Sequence, residues 1–144
     1  MEGRRLIGFE IRSLNNLIMR NIESAFEGKQ YDGVTATNGW IIGFLAANSD
    51  KNIYQKDLEE QFSITRSTAS KVLILMEKKG LIERHRVPHD ARLKKLTLTK
   101  KAQTISSQMT ENAKEFETIL TKGLTPEELD SFYHCIQKMR DNLN

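Results

Sequence analysis

Gln55-Lys56-Asp57-Leu58-Glu59-Glu60-Gln61-Phe62, then Ser63-Ile64-Thr65, then Arg66-Ser67-Thr68-Ala69-Ser70-Lys71-Val72-Leu73-Ile74-Leu75-Met76-Glu77-Lys78-Lys79-Gly80: these 26 consecutive residues decide the fold. The first segment is a short amphipathic helix that turns Leu58 and Phe62 to one side. Residues 63–65 are a brief turn, and Thr65 is placed to cap a second helix, about Arg66 to Lys79, because its hydroxyl can accept from an unpaired amide of the first turn. Ala69, Val72, Leu73 and Met76 form one apolar stripe along that helix, and Gly80 stops it. Projected at about 100° per residue, Ser67, Ser70, Lys71, Ile74 and Lys78 lie on the opposite side, flanked by Arg66 and Thr68. A short helix, a three-residue turn and a longer two-faced helix make a helix-turn-helix.

Downstream, Leu81 to Arg86 and Leu93 to Leu98 read as two extended runs. Between them Val87-Pro88-His89-Asp90-Ala91 is a loop, so the pair forms a β-hairpin with a long tip. A long helix should start near Thr99, keeping Ile105, Met109, Ala113, Phe116 and Leu120 at helical spacing as far as Gly123. Thr125-Pro126-Glu127-Glu128 then starts a last helix, with Thr125 as cap, Pro126 in the first turn and Glu128 completing a capping box. That helix carries Leu129, Phe132, Tyr133, Ile136, Met139 and Leu143 on one side. Upstream, Ile7, Ile11, Leu14, Ile18 and Ile22 recur through a helix from about Arg4 to Glu27, with Leu6, Leu17 and Phe26 widening the stripe and Gly28 placed to end it. Thr35 caps a second helix through Ala47 that is apolar almost all round (Trp40, Ile41, Ile42, Phe44, Leu45), which predicts burial. The fold class expected is mainly α with a small β-hairpin wing: a winged helix-turn-helix lobe over 34–99, joined to a helical dimerisation region formed by 1–33 and 100–144.

Composition agrees with a folded, water-soluble chain. Of 144 residues 38% are apolar and 28% charged, and the longest nearly unbroken apolar run, Gly39 to Ala47, is nine residues. That is about half of a membrane span. No cleavable leader pattern is read at the start. The single cysteine, Cys135, excludes an intrachain disulfide and suits a reducing cytoplasm; it reads as a small packing residue of the last helix. Charge is uneven. Between Ser63 and Lys100 ten Lys or Arg oppose three acids, a balance of +7. With +3 overall, the other 106 residues carry −4. A basic middle in an acidic frame points to a polyanion-binding surface.

The motifs sharpen that expectation to double-stranded DNA. Small hydroxyl residues at the start of the second helix-turn-helix segment let that end enter a major groove. There Arg66, Ser67, Thr68, Ser70 and Lys71 can meet base edges or phosphates. Arg84, Arg86, Arg92, Lys94 and Lys95 cluster on the hairpin, and Asp90 stands two residues before Arg92. A short acid at that spacing can pin the guanidinium so that it projects into a narrow minor groove, where negative potential is enhanced. The expected contacts are therefore Arg66, Ser67, Thr68, Ser70, Lys71, Arg84, Arg86, Asp90, Arg92 and Lys94. The alternative is a winged helix used as a protein-interaction adaptor, against which the basic, hydroxyl-bearing face argues. No Gly-rich phosphate loop, paired catalytic acids, metal-ligand cluster or cofactor motif is read, so an enzyme is not expected.

The ordered set of motifs resembles the MarR family of winged-helix transcriptional regulators, over nearly the whole chain. Thr35 to Leu45 is similar to that family's second helix, with Trp40 at its aromatic position. Gln55-Lys56-Asp57-Leu58 and Ile64 to Lys71 are similar to its helix-turn-helix, and Glu77 to Ile82 to the approach to its wing. Asp90-Ala91-Arg92 matches its Asp-x-Arg wing motif, and Leu96-Thr97-Leu98-Thr99 its return. Tyr54 departs from the usual Ser or Thr cap, which leaves the third helix start less firm. Gly39 and Gly43 flank Trp40 inside a helix, as close packing or room for a ligand would require. The first helix lacks the cysteine of the family's redox-sensing branch. The resemblance implies a cytoplasmic homodimer held by the terminal helices, most often a repressor on a pseudo-palindromic operator. It also implies release by a small aromatic or phenolic effector, with Trp40 and Phe44 as candidate walls of its site.

Overall fold

In the computed structural model, residues 5–26, 31 and 33–144 are described. The elements in order are α1 (Ile7–Phe26), α2 (Ala36–Ala47), α3 (Gln55–Phe62), α4 (Arg66–Lys78), β1 (Ile82–Val87), β2 (Asp90–Leu98), α5 (Lys100–Leu120) and α6 (Pro126–Leu143). The expected stop at Gly28 and the Phe26 side chain lie outside the described residues.

The helix starts follow from their caps. Thr35 Oγ1 accepts from Asn38 N at 3.1 Å and Thr35 N donates to Asn38 Oδ1 at 3.2 Å, a reciprocal box at the head of α2. Thr65 Oγ1 accepts from Thr68 N at 3.2 Å at the head of α4. Thr99 Oγ1 accepts from Ala102 N and donates to Gly80 O, so one hydroxyl both starts α5 and ties it to the end of the α4 turn. Thr125 and Glu128 form the expected box on α6. At α3 the missing cap hydroxyl is offset from the other side, because Asp57 Oδ2 accepts from Tyr54 N at 2.8 Å. The third residue of the helix thus does half of a capping box without a Ser or Thr before it.

The hairpin is tighter than its sequence suggests. The ladder runs from Ile82↔Leu98 to Arg86↔Lys94 and then slips to Val87↔Asp90. The turn is therefore Pro88-His89, and the residues between Asp90 and Lys94 form a bulge on β2 instead of half of a long loop. Leu96 N also donates to Ile53 O at 2.8 Å, which ties the segment before α3 to the wing's second strand.

The chain divides into two compact units, residues 1–112 and 113–144. In the first, α2, α3, α4, the hairpin and the start of α5 share one core of Ile41, Ile42, Leu45, Leu58, Leu73, Met76, Leu81, Ile82, Leu96, Ala102 and Ile105. Ala102 and Ile105 explain why the first half of α5 belongs to this unit. Asn38 is its buried polar residue, and its Oδ1 also accepts from Lys79 Nζ at 3.0 Å. Two expectations are corrected on α2. Trp40 is 47% exposed, because burying Ile41, Ile42 and Leu45 turns it outward. Gly43 has open space where a side chain would start, so close packing is not its reason within one chain. In the same unit Ile7, Phe9, Ile11, Leu14 and Leu17 of α1 stay exposed.

In the second unit α6 buries none of its residues, and Ile119, Leu124, Phe132, Tyr133 and Leu143 are exposed. Cys135 is exposed too, not packed as expected from sequence. Among the described residues no helix is long and apolar enough to cross a membrane.

Leu58, fully buried at the α3–α4 junction, gives a direct test of this core. Leu58→Ala is expected to lower stability by about 2–5 kcal/mol, read as a lower urea midpoint with an unchanged slope.

Candidate nucleic-acid interface

The turn between α3 and α4 works because Ser63 adopts the left-handed conformation, φ 51° and ψ 46°. Ser63 N and Ile64 N then return to Glu60 O and Glu59 O, closing α3. Gln55 Nε2 donates to Arg66 O at 3.4 Å, so the start of one helix holds the start of the next. Ala69, Leu73 and Met76 enter the core. Their burial leaves Arg66, Ser67, Thr68 and Lys71 exposed and Ser70 half-buried, the arrangement expected from the helical projection. Thr65 Oγ1 donates to Thr68 Oγ1 at 3.0 Å, leaving the Thr68 hydroxyl proton available to donate elsewhere.

The wing places its basic residues in two different ways. Ile82, Arg84 and Arg86 share one face of the ladder, opposite Leu98, Leu96 and Lys94. Near the core that face is inward, and at the tip it is free. Arg86 and Lys94 are accordingly exposed, whereas the Arg84 side chain is only 18% exposed. Its Nε lies 3.8 Å from Glu77 Oε2 of α4, beyond a hydrogen bond, and Nε and Nη2 are buried without a hydrogen-bond partner. Arg84 thus faces α4, not solvent. The alternation Ile82-x-Arg84 across from Leu96 was the sequence signal for it. On the other face His85 Nε2 sits 2.8 Å from Thr97 Oγ1 and 3.3 Å from Glu83 Oε2.

Asp90 acts on Arg92 through the backbone. Its Oδ1 accepts from Arg92 N at 2.9 Å, which replaces the expected carboxylate–guanidinium contact. The carboxylate fixes the bulge from which Arg92 projects, and the exposed guanidinium is left free of it.

Lys79 and Lys95 contribute to the basic count but not to this face. Lys79 binds Asn38. Lys95 lines an open cleft of about 460 Å³ together with Leu45, Asn48, Lys51, Ile53 and Gln103. Trp40 and Phe44, the candidate effector walls, do not line that cleft. Phe44 packs edge-on against Phe62 at 5.9 Å. Among the described residues no group of His, Cys, Asp or Glu is placed to hold a metal ion.

An outward basic helix, a three-residue turn before it that opens on the left-handed Ser63 and a two-stranded wing after it define a winged helix-turn-helix protein. The MarR-family model matches residues 32–93. The crystal structure of the transcription regulator MarR from Oenococcus oeni PSU-1 is 32% identical, with a TM-score of 0.76 over 91% of this chain and 98% of that one. The S. aureus MepR–DNA complex is 25% identical, with a TM-score of 0.84 over 98% and 100% of the two chains. The heme sensor PefR from Streptococcus agalactiae, in complex with heme, is 25% identical, with a TM-score of 0.63 over 99% and 95%. The chain belongs to the MarR family of winged-helix transcription regulators.

If the Asp90 bond to Arg92 N sets the wing bulge, Asp90→Asn, which keeps an acceptor oxygen, should bind duplex DNA at least as tightly as the parent chain. Asp90→Ala should bind several-fold more weakly than Asp90→Asn. Equal affinities of the two variants in an anisotropy titration at one salt concentration would remove this role.

Proposed function

We propose that the chain is a homodimeric, sequence-specific double-stranded DNA-binding repressor that acts in the cytoplasm and is released by a small effector. The observation that carries the reading is the split of α4: Ala69, Leu73 and Met76 are buried while Arg66, Ser67, Thr68 and Lys71 face out. Ser67, Thr68, Ser70 and Lys71 discriminate bases, and Arg66, Arg86 and Lys94 meet phosphates. Asp90 presents Arg92 to the adjacent minor groove. Arg84 acts from behind, holding β1 beside α4. The DNA complex of S. aureus MepR supports DNA binding as the role of this lobe.

The dimer is inferred from apolar faces that one chain leaves uncovered. Residues 1–33 and 100–144 are assigned to the dimerisation region and 34–99 to the DNA-binding lobe, with Ala102 and Ile105 at the start of α5 packed into the lobe's core. On α1 the stripe of Ile7, Ile11 and Leu14 is exposed, and on α6 Phe132, Tyr133 and Leu143 are. Apolar helix faces left exposed in this way are candidates for a protein interface. Two-fold symmetry then sets recognition helices about 34 Å apart on an inverted repeat.

The effector is a small aromatic or phenolic compound, a reading to which the heme complex of PefR lends support. It changes DNA affinity by as much as it prefers one spacing of the two lobes over another.

Selection of bound sites from random duplexes at physiological salt tests the reading. An inverted repeat with half-sites about ten base pairs apart is expected. Failure to enrich any sequence would overturn it. Arg92→Ala should weaken operator binding several-fold at fixed salt while light scattering still reports a dimer. An effector beside Trp40 should quench its fluorescence over the same concentration range that releases DNA. Release without that signal places the effector elsewhere.

A further inference from the structure

Two exposed side chains of α4, Ile74 and Leu75, are explained neither by hydrogen bonding nor by charge, and Ile74 is the one that lies in line with Lys71 and Lys78. Ile74 is 45% exposed, with Leu73 fully buried beside it. On the helical projection it sits within the polar face, one turn beyond Ser70 and Lys71 and one turn before Lys78. We infer that Ile74 is a specificity-determining residue that reads the 5-methyl group of a thymine in the major groove. The inference rests on the DNA-binding reading above and deepens it.

The argument is one of chemistry and reach. Base edges in the major groove present donors, acceptors and one apolar feature, the thymine methyl. A branched aliphatic side chain offers nothing to the first two and matches the third. Lys71 and Lys78 stand three residues before Ile74 and four after it on the same face. They bracket it with cations that can anchor flanking phosphates and hold the helix along the groove. Ile74 is seven residues beyond Ser67, about 10 Å along the helix axis. At 3.4 Å per base pair that is about three pairs from those nearest Ser67. The methyl contact therefore extends readout beyond the pairs the hydroxyl residues reach. Leu75 is a built-in control. It is 53% exposed but projects about 100° from Ile74, so any base edge it meets is not the one Ile74 meets, and its removal should leave the sensitivity at the Ile74 position in place.

Deoxyuridine differs from thymidine only by lacking the methyl group, so it tests the contact without altering any hydrogen bond. With the selected operator, each thymine is replaced in turn and affinity is measured by anisotropy for the parent chain, Ile74→Ala and Leu75→Ala. Expected for the parent chain is one thymine per half-site whose replacement weakens binding about fourfold, and about fifteenfold when both half-sites are replaced, the effect of one methyl burial per half-site. Ile74→Ala should show that loss on the unmodified operator and be indifferent to deoxyuridine at that position. Leu75→Ala should keep the parent profile. A flat deoxyuridine profile with tight parent binding overturns the inference and leaves the DNA-binding reading intact. So does a profile that survives in Ile74→Ala. Failure to bind any duplex overturns both.

Discussion

Burial of Ala69, Leu73 and Met76 beneath α4 is the interaction on which the functional surface depends. Leu73 and Met76 carry the helix into a core shared with Leu58 of α3 and with Leu81, Ile82 and Leu96 around the wing, and Ala69 is buried beside them on the same face. Once that stripe is inside, the helix has no freedom to choose what it shows. Ser67, Lys71, Ile74 and Lys78 are outward because the residues two positions away, Ala69, Leu73 and Met76, point to the opposite side of the helix and are inward. The same core sets where the wing begins, since Leu81 and Ile82 are its first residues and belong to the core themselves. Thr99 then binds Gly80 O and starts α5 at the point where β2 ends. Fold and recognition surface are therefore two consequences of one packing event.

Much of this was legible in the residues. The α3 bounds, the α4 start at Thr65, the α6 capping box and the outward position of Ser67 and Lys71 all follow from local rules of capping and helical period. Those rules act over a few residues and need no knowledge of the rest of the chain. The departures have one common origin in tertiary context. Trp40 looked buried because α2 is apolar almost all round, but a helix on the margin of a core buries only one side. The hairpin tip looked like a five-residue loop because its residues favour turns, yet pairing of Val87 with Asp90 recruits part of it to the ladder. Arg84 looked like a free cation because charge was counted along the chain, without regard to the strand's alternation.

Asp90 shows how a short acid can serve an arginine without touching its charge. Bonded to Arg92 N, it leaves the guanidinium without a direct carboxylate contact and still fixes the backbone from which it projects. Glu77 and Arg84 show the converse, a pair at 3.8 Å in which two guanidinium nitrogens remain buried and unsatisfied. An unpaired buried donor is expensive, and closing that gap by less than one ångström would relieve it.

The account stands or falls on whether the outward face of α4 occupies a major groove. Methylation protection at guanine N7, an atom exposed only in that groove, measures this directly on a selected duplex. The account expects two protected clusters about one helical turn apart, both on the same side of the duplex. Tight binding that leaves every guanine N7 open to the reagent would contradict it.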